Sequence, residues 1–277
     1  MREIVQGVFL EDRYPGVILG AVAADGGVLL IDTPLRIEDG REWLAELAPY
    51  GRARLLVLLD QHPDRVLGAR GLDLAVVAQQ HTRDAVAAWP DVYKPGVAMG
   101  AESDRLRRVA GIHRAVPHVS FTESLTLMLG DTPVELWHRP GPTAGSAWVV
   151  LPTRRIVFVG DFVSLREPPY LGEADLEAWL AGLHELRSAA FRKYRILSSR
   201  DGVVRGEALP GMAAFLRKID GRLTRLQARD EPSGATAKLA LPLARTYRVG
   251  AARKELVAQR LRAGLEALYL HRYADSD

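Results

Sequence analysis

Residues 58–68 read "LLDQHPDRVLG". An apolar run closes at Leu59, and Asp60, His62, Asp64 and Arg65 then crowd into the next six positions. Imidazole and carboxylate side chains are metal ligands, whereas guanidinium is not. The stretch therefore reads as a metal loop with some of its ligands removed. The alternative is an ordinary polar loop at the end of a buried strand.

The flanking sequence alternates strand-like and helix-like patterns. Gly16–Asp25 and Gly26–Leu35 are β-rich runs that meet at Asp25-Gly26-Gly27, a hairpin signature. "IEDGREWLAELAPYG" places Trp43, Leu44 and Leu47 at helical spacing, with Gly51 as a stop. "ARLLVLLD" and "LDLAVVAQ" read as buried strands, and "HTRDAVAAW" as a short helix. Residues 90–111, including the run "SDRLRRVAG", read as a connection or a short exposed helix. A second β-rich block follows in "SLTLMLGDTPVELWH", "SAWVVLP" and "RRIVFVGDFV". Helix Glu173–Ala189 precedes a strand at "YRILSS". Helical periodicity then covers Ala208–Arg229 and Ala251–Tyr269, with "RDEPSGAT" as the loop between them. Two strand blocks, each followed by helices, predict an α/β fold of four layers, an αββα sandwich. The division expected is a core over 1–205 and a helical portion over 206–277 packed on the same domain.

The chain has 277 residues, 48% hydrophobic and 26% charged, as for a soluble globular protein. It has no apolar run of the roughly 18 residues that span a bilayer, and its first residues lack a signal-peptide core. A cytoplasmic location is the expectation. Without cysteine, disulfides, thiolate metal sites and cysteine nucleophiles are excluded. The lack of asparagine and the preference for arginine fit a thermophile or GC-rich coding. A formal charge of +3 with no aromatic-studded basic stripe gives no indication of nucleic acid.

The order of motifs resembles the metallo-β-lactamase superfamily from Val8 to Gly202. "GVILGAVAADGGVLLIDTPL" resembles its opening hairpin, ending in the pair Asp32-Thr33. "VLLDQHPDRVLGARGL" stands at its His-x-His-x-Asp-His motif. "VELWHRPGPTAGSAWVVLP" is similar to its Pro-Gly-His-Thr segment, "RRIVFVGDFV" to its Gly-Asp strand, and "YRILSSRDG" to its last histidine strand. The resemblance implies a two-zinc hydrolase site. Of its seven ligand positions, His62, Asp64 and Asp161 match, and Asp60 replaces a histidine with a residue that can still coordinate. Arg65, Pro142 and Arg200 replace the other three histidines. Proline and guanidinium offer no lone pair to a metal. A divalent ion about 4 Å from a guanidinium would be repelled by roughly 8 kcal/mol at an effective dielectric near 20.

Three functions follow. The first is a fold without the zinc centre, non-hydrolytic, with no cofactor. Here Arg65 and Arg200 neutralise Asp64 and Asp161, or bind an anionic small molecule. The second is a hydrolase of esters, thioesters or phosphodiesters with one divalent metal, manganese or zinc, held by Asp60, His62 and Asp161. The third is metal-free catalysis by His62, oriented by Asp60, with the arginines as electrophiles. His62 and Asp64 are the catalytic candidates. As a loop residue, His62 would hydrogen-bond Asp60 or Asp161. His138 is the one other histidine to check as a replacement ligand. Arg107, Arg108 and the basic C-terminal helix read as solvated faces.

Overall fold

The turn at Asp25-Gly26-Gly27 joins two antiparallel strands, with Ala24 opposite Gly27 and Gly20 opposite Ile31. The structure is a computed structural model that describes residues 1–94, 101–104 and 112–273. The first sheet runs β1 (Arg2–Val5), β2 (Val8–Glu11), β3 (Leu19–Ala24), β4 (Gly27–Ile31), β5 (Ala53–Leu58), β6 (Ala75–Gln79) and β7 (Val119–Phe121), in spatial order. It is antiparallel as far as β4 and parallel from β4 to β7. The parallel half is built through α1 (Ile37–Leu47), α2 (Pro63–Val66) and α3 (Gln80–Ala88). In α1 the buried stripe is Trp43 and Leu47, and Glu38 and Asp39 sit at the helix N-terminus, where negative charge is favoured. Ala48–Tyr50 and Gly51, at φ 134°, end it.

The second sheet contains β8 (Ser124–Leu129), β9 (Thr132–His138), β10 (Ala147–Leu151), β11 (Ile156–Phe158), β12 (Arg195–Ser198) and β13 (Gly202–Val204), in order from one edge. Only β11 and β12 are parallel, joined through α4 (Leu176–Glu185). Asp175 caps α4 by accepting the N–H of Ala178 at 2.9 Å. Helices α5 (Leu209–Gln227), α6 (Ala237–Ala244) and α7 (Lys254–Tyr273) complete the chain.

Three apolar clusters define the layers. Val22, Ile31 and Val57 of the first sheet meet Leu136, Val149 and Phe158 of the second between the sheets. Leu30, Leu56 and Ala78 meet Trp43, Leu47 and Val86 on the outer face of the first sheet. Trp148, Val150 and Val157 meet Trp179, Leu216, Leu243 and Leu265 on the outer face of the second. This is the αββα sandwich, and α5, α6 and α7 share a core with the second sheet. Strands β4, β10 and β11 are buried along their whole length and read as continuous apolar runs, whereas β1 and β8 keep exposed residues.

The sequence pattern misses two features. The short helix α6 lies where only a boundary between two long helices is read, because Pro242 interrupts its eight residues. Strands β1 and β2 add to the first sheet ahead of the hairpin, although residues such as Glu3 and Glu11 blur their apolar pattern. Most of the run "SDRLRRVAG", with Arg107 and Arg108, lies outside the described residues.

At Gly20 the two sheets pack closely. A Cβ there would stand 2.5 Å from Cε1 of Phe158 and 3.2 Å from Cβ of Ile31. Gly20→Ala is expected to cost about 1–3 kcal/mol by overpacking. Phe158→Leu in the same chain should recover part of that loss. Urea unfolding of the two single variants and the double variant measures the coupling; additive losses would contradict the contact.

Candidate functional site

Four strands deliver the candidate residues at their carboxyl ends. Asp32 follows β4, Asp60 to Arg65 follow β5, Asp161 follows β11, and Ser199 and Arg200 follow β12. Asp32 closes its strand in a left-handed conformation, φ 62°, which aspartate tolerates better than the β-branched residues before it. Its Oδ1 accepts the N–H of Leu59 at 3.0 Å, and its Oδ2 accepts Ser199 Oγ–H at 3.1 Å. Asp60 Oδ1 accepts the N–H of His62 at 2.8 Å, and Pro63 then starts α2. That turn sends Arg65 inward.

Arg65 is fully buried. Its Nη1 lies 3.0 Å from Asp32 Oδ2, its Nε 3.0 Å from Asp60 Oδ1, and its Nη2 donates to Asp161 Oδ1. Gly160, at φ 58°, leaves room for it: a Cβ there would come within 3.2 Å of Nη1. Arg200 approaches Asp161 from the other side. Its Nε and Nη2 meet the two carboxylate oxygens at 2.8 and 2.7 Å, and its Nη1 donates to Gly16 O at 2.8 Å. Asp161 is therefore held by both guanidiniums.

Asp64 is not a partner of Arg65. Its carboxylate accepts the N–H groups of Glu102 and Ser103 at 3.1 and 2.8 Å, and Arg200 Nη1 stays 3.9 Å away. The first sequence expectation named Asp64 as one of two neutralised carboxylates, whereas Arg65 instead meets Asp32 and Asp60. Asp32 was legible as a polar residue ending a buried strand. Its pairing with Arg65, 33 positions away, was not.

His62 makes no ring hydrogen bond to Asp60 or Asp161. Its Nδ1 accepts the N–H of Asp64 at 3.3 Å and lies 3.5 Å from Arg200 Nη2, so the ring proton sits on Nε2. Burial, and then the neighbouring Arg200, lower the pKa of His62 well below the usual range, and the ring is neutral. Its edge rests on Tyr170, with centroids 4.2 Å apart. His138 lies elsewhere, bonded through Nε2 to Ala144 O at 2.8 Å and 6.0 Å from the His81 ring. Pro142 contributes a wall of the neighbouring cavity and no polar side-chain atom.

Two residues outside the motifs complete the site. Tyr170 lies between the guanidiniums of Arg200 and Arg260, 4.8 and 4.4 Å from its ring centre. Arg260 belongs to α7, the helix whose basic residues read as a solvated face. Only 5% of it is exposed. Its Nη2 donates to Pro168 O at 2.7 Å and lies 3.2 Å from Glu167 Oε2. No local signal marks Arg260, because burial of one basic residue on a polar helix depends on what packs over it.

Two cavities flank Tyr170. One, of about 250 Å³, is lined by Gln61, His62, Trp89, Pro142, Leu171 and part of α7. The other, of about 240 Å³, is lined by Arg166, Arg200, Arg253 and Arg260 together with Glu102 and Glu167. Among the described residues, no group of three or more His, Asp or Glu side chains is placed to hold a metal ion. No helix among them is long and apolar enough to cross a membrane.

No curated protein matches the sequence. Solved structures do match the fold. A metallo-beta-lactamase family protein from Thermus thermophilus aligns over 99% of this chain and 95% of its own, at 18% identity and a TM-score of 0.68. The metallo-beta-lactamase from Pontibacter korlensis aligns over 76% of this chain and 99% of its own, at 18% identity and a TM-score of 0.58. A stereoselective inverting sec-alkylsulfatase from Pseudomonas sp. aligns over 99% of this chain and 51% of its own, at 14% identity and a TM-score of 0.67. The sequence profile of the metallo-beta-lactamase superfamily covers residues 20–201, more than half of the 277, and this chain belongs to that superfamily.

Proposed function

We propose that this chain is a non-hydrolytic member of the superfamily, with an arginine–carboxylate cluster in place of the dinuclear zinc centre, and that it acts by binding a small molecule. One observation carries the reading: both oxygens of Asp161, at the family's metal-bridging position, are taken by guanidiniums. The remaining donors do not fit a metal either. Asp60 Oδ1 is engaged by Arg65 and by the N–H of His62, and His62 Nδ1 receives the N–H of Asp64. A cation among Asp60, His62 and Asp161 would stand beside the Arg65 and Arg200 charges. As a general base His62 is equally ill placed, since its acceptor nitrogen is occupied and its other nitrogen carries the proton.

Nor is Arg65 available to an anionic ligand, because all three of its nitrogens face protein carboxylates and none is exposed. The cluster holds four buried aspartates, Asp32, Asp60, Asp64 and Asp161, against two guanidiniums. A further anion would add to an existing excess of negative charge. The same imbalance sets the protonation states. Burial pushes Asp60 up to about 7; Arg65 opposes this, and Asp161 and Asp32 add to it. Burial acts on Asp161 too, but Arg200 and then Arg65 hold it well below the usual carboxylate range.

Protein purified without chelator is expected to carry substoichiometric metal, to keep its Tm when chelator is added, and to leave esters, thioesters and phosphodiesters intact. Near one equivalent of zinc, manganese or iron would overturn the reading. Arg65→Met should cost about 3–5 kcal/mol, because it strands three buried carboxylates. Arg200→Met, at a partly exposed position, should cost less; equal losses in urea unfolding would count against Arg65 as the centre of the cluster.

The pH dependence has a defined sign. A proton that Asp60 binds more tightly in the folded state stabilises the protein fully below the unfolded pKa of about 3.9 and is lost as pH rises through about 7. Asp161 acts in the opposite sense, and its contribution disappears in acid. Between pH 4.5 and 7 the Asp60 contribution therefore falls with rising pH, by at most about 1.4 kcal/mol per unit for one proton, while neutral His62 contributes in the opposite sense up to its unfolded pKa of about 6.5. Asp60→Asn, which is permanently neutral, should remove the Asp60 contribution and make the slope of stability against pH more positive, and an unchanged slope would remove Asp60 as the titrating group.

A further inference from the structure

We infer that the outer surface formed by α5 and α6 docks peripherally on an anionic lipid bilayer. Residues 1–205 carry more acidic than basic side chains, so the formal charge of +3 resides wholly in residues 206–277. Helices α5 and α6 pack on the outer face of the second sheet and present part of that excess to solvent. In α6, Ala240 and Leu243 are buried, and Lys238, Leu241 and Arg245 recur on the opposite, exposed face. Arg248 follows, also exposed. In α5, Met212, Leu216, Ile219 and Leu223 are buried, and Arg217, Lys218 and Arg225 stand on the exposed face. Among the described residues, none of these cations has a carboxylate partner. The acidic residue of α5, Asp220, is paired with Arg272, and α6 has no acidic residue.

Two features separate this surface from a solvated basic face. Leu241 is 55% exposed in the middle of the basic row. Beside Lys218 opens a groove of about 390 Å³ whose lining includes Met212, Phe215, Thr246 and Tyr247. Thr246 and Tyr247 are the sequence neighbours of Arg245 and Arg248, which places both of those cations beside the groove. Apolar surface interleaved with cations matches the interface of a negatively charged bilayer, where headgroups meet the basic side chains and apolar groups leave water. Long Lys and Arg side chains reach the headgroups while their stems lie against apolar material. Nucleic acid is the poorer match. Single strands are held by exposed aromatic rings as well as by charge, and Tyr247, the aromatic side chain beside this row, packs edge-on against Phe215 with ring centres 5.1 Å apart. A phosphodiester backbone also gives Leu241 no apolar partner.

The test is co-sedimentation of the full chain with vesicles of phosphatidylcholine alone and of phosphatidylcholine mixed equally with phosphatidylglycerol. Partitioning into the mixed vesicles is expected to exceed that into the neutral ones at least tenfold, and to weaken as sodium chloride screens the charges. Lys238→Glu combined with Arg245→Glu should lower it at least tenfold. Leu241→Ser, which keeps the charge, should lower it severalfold. Arg41→Glu combined with Arg52→Glu makes the same change of charge at exposed positions on the α1 side of the sandwich, and should lower it less than threefold. All the altered positions are exposed, and an unchanged Tm in each variant shows that the fold is kept. An equal fall in the two charge-reversal pairs, or unchanged partitioning of Leu241→Ser, overturns the inference. So does the absence of binding to the mixed vesicles, whether or not the chain binds a single-stranded oligonucleotide.

Discussion

A guanidinium with no solvent contact fixes this structure around itself. Arg65 is fully buried, and its charge is tolerable there only because Asp32, Asp60 and Asp161 surround it. Those three carboxylates come from loops after β4, β5 and β11, so the ion pairs tie the two sheets together at one end. Removing any one strand end leaves a buried charge uncompensated. The strained backbone at Asp32 and the left-handed Gly160 make sense in that setting, as local costs accepted to bring carboxylates and backbone within reach of one cation.

On the reading proposed above, the cluster also explains how the fold keeps its acidic positions without metal ions. Carboxylates at the carboxyl ends of strands lose a divalent counter-charge when histidines are replaced. Arginine restores part of it from the same positions, Arg65 and Arg200, through directional hydrogen bonds that zinc does not make. The restoration is incomplete, four carboxylates to two guanidiniums, and burial raises the pKa of Asp32, Asp60 and Asp64 against the opposing arginines. Asp64 follows a different solution, since its carboxylate is satisfied by the backbone N–H groups of Glu102 and Ser103.

The C-terminal helices enter the site through one aromatic ring. Tyr170 is held between Arg200 of the cluster and Arg260 of α7, and Arg260 is held in turn by Glu167 and Pro168 O. A segment beyond the residues that match the family profile thus supplies a wall of the cavity. The site belongs to the whole chain, because the second sheet and α7 share a single apolar cluster.

Much of the fold was legible because its signals are local. The Asp25-Gly26-Gly27 turn, the apolar runs of strands buried on both faces and the 3.6-residue stripes of α1, α4 and α5 each depend on neighbours in sequence. The positions of the lost ligands at Arg65, Pro142 and Arg200 were legible in the same way, as was the chemical point that none of them can bind a metal. Which carboxylate each arginine meets was not. Arg65 reaches Asp161 across 96 residues and passes by Asp64, its immediate neighbour in sequence. The ring of His62 turned to the N–H of Asp64 rather than to a side chain, and Arg260 left the solvent. The sequence by itself determined the layers and the replacement of three ligand positions by side chains that cannot bind a metal, because periodicity and donor atoms are properties of single residues and short windows. Only the tertiary structure decided the pairing, the tautomer of His62 and the cavity beside it, because buried charges and buried donors choose partners by distance in space.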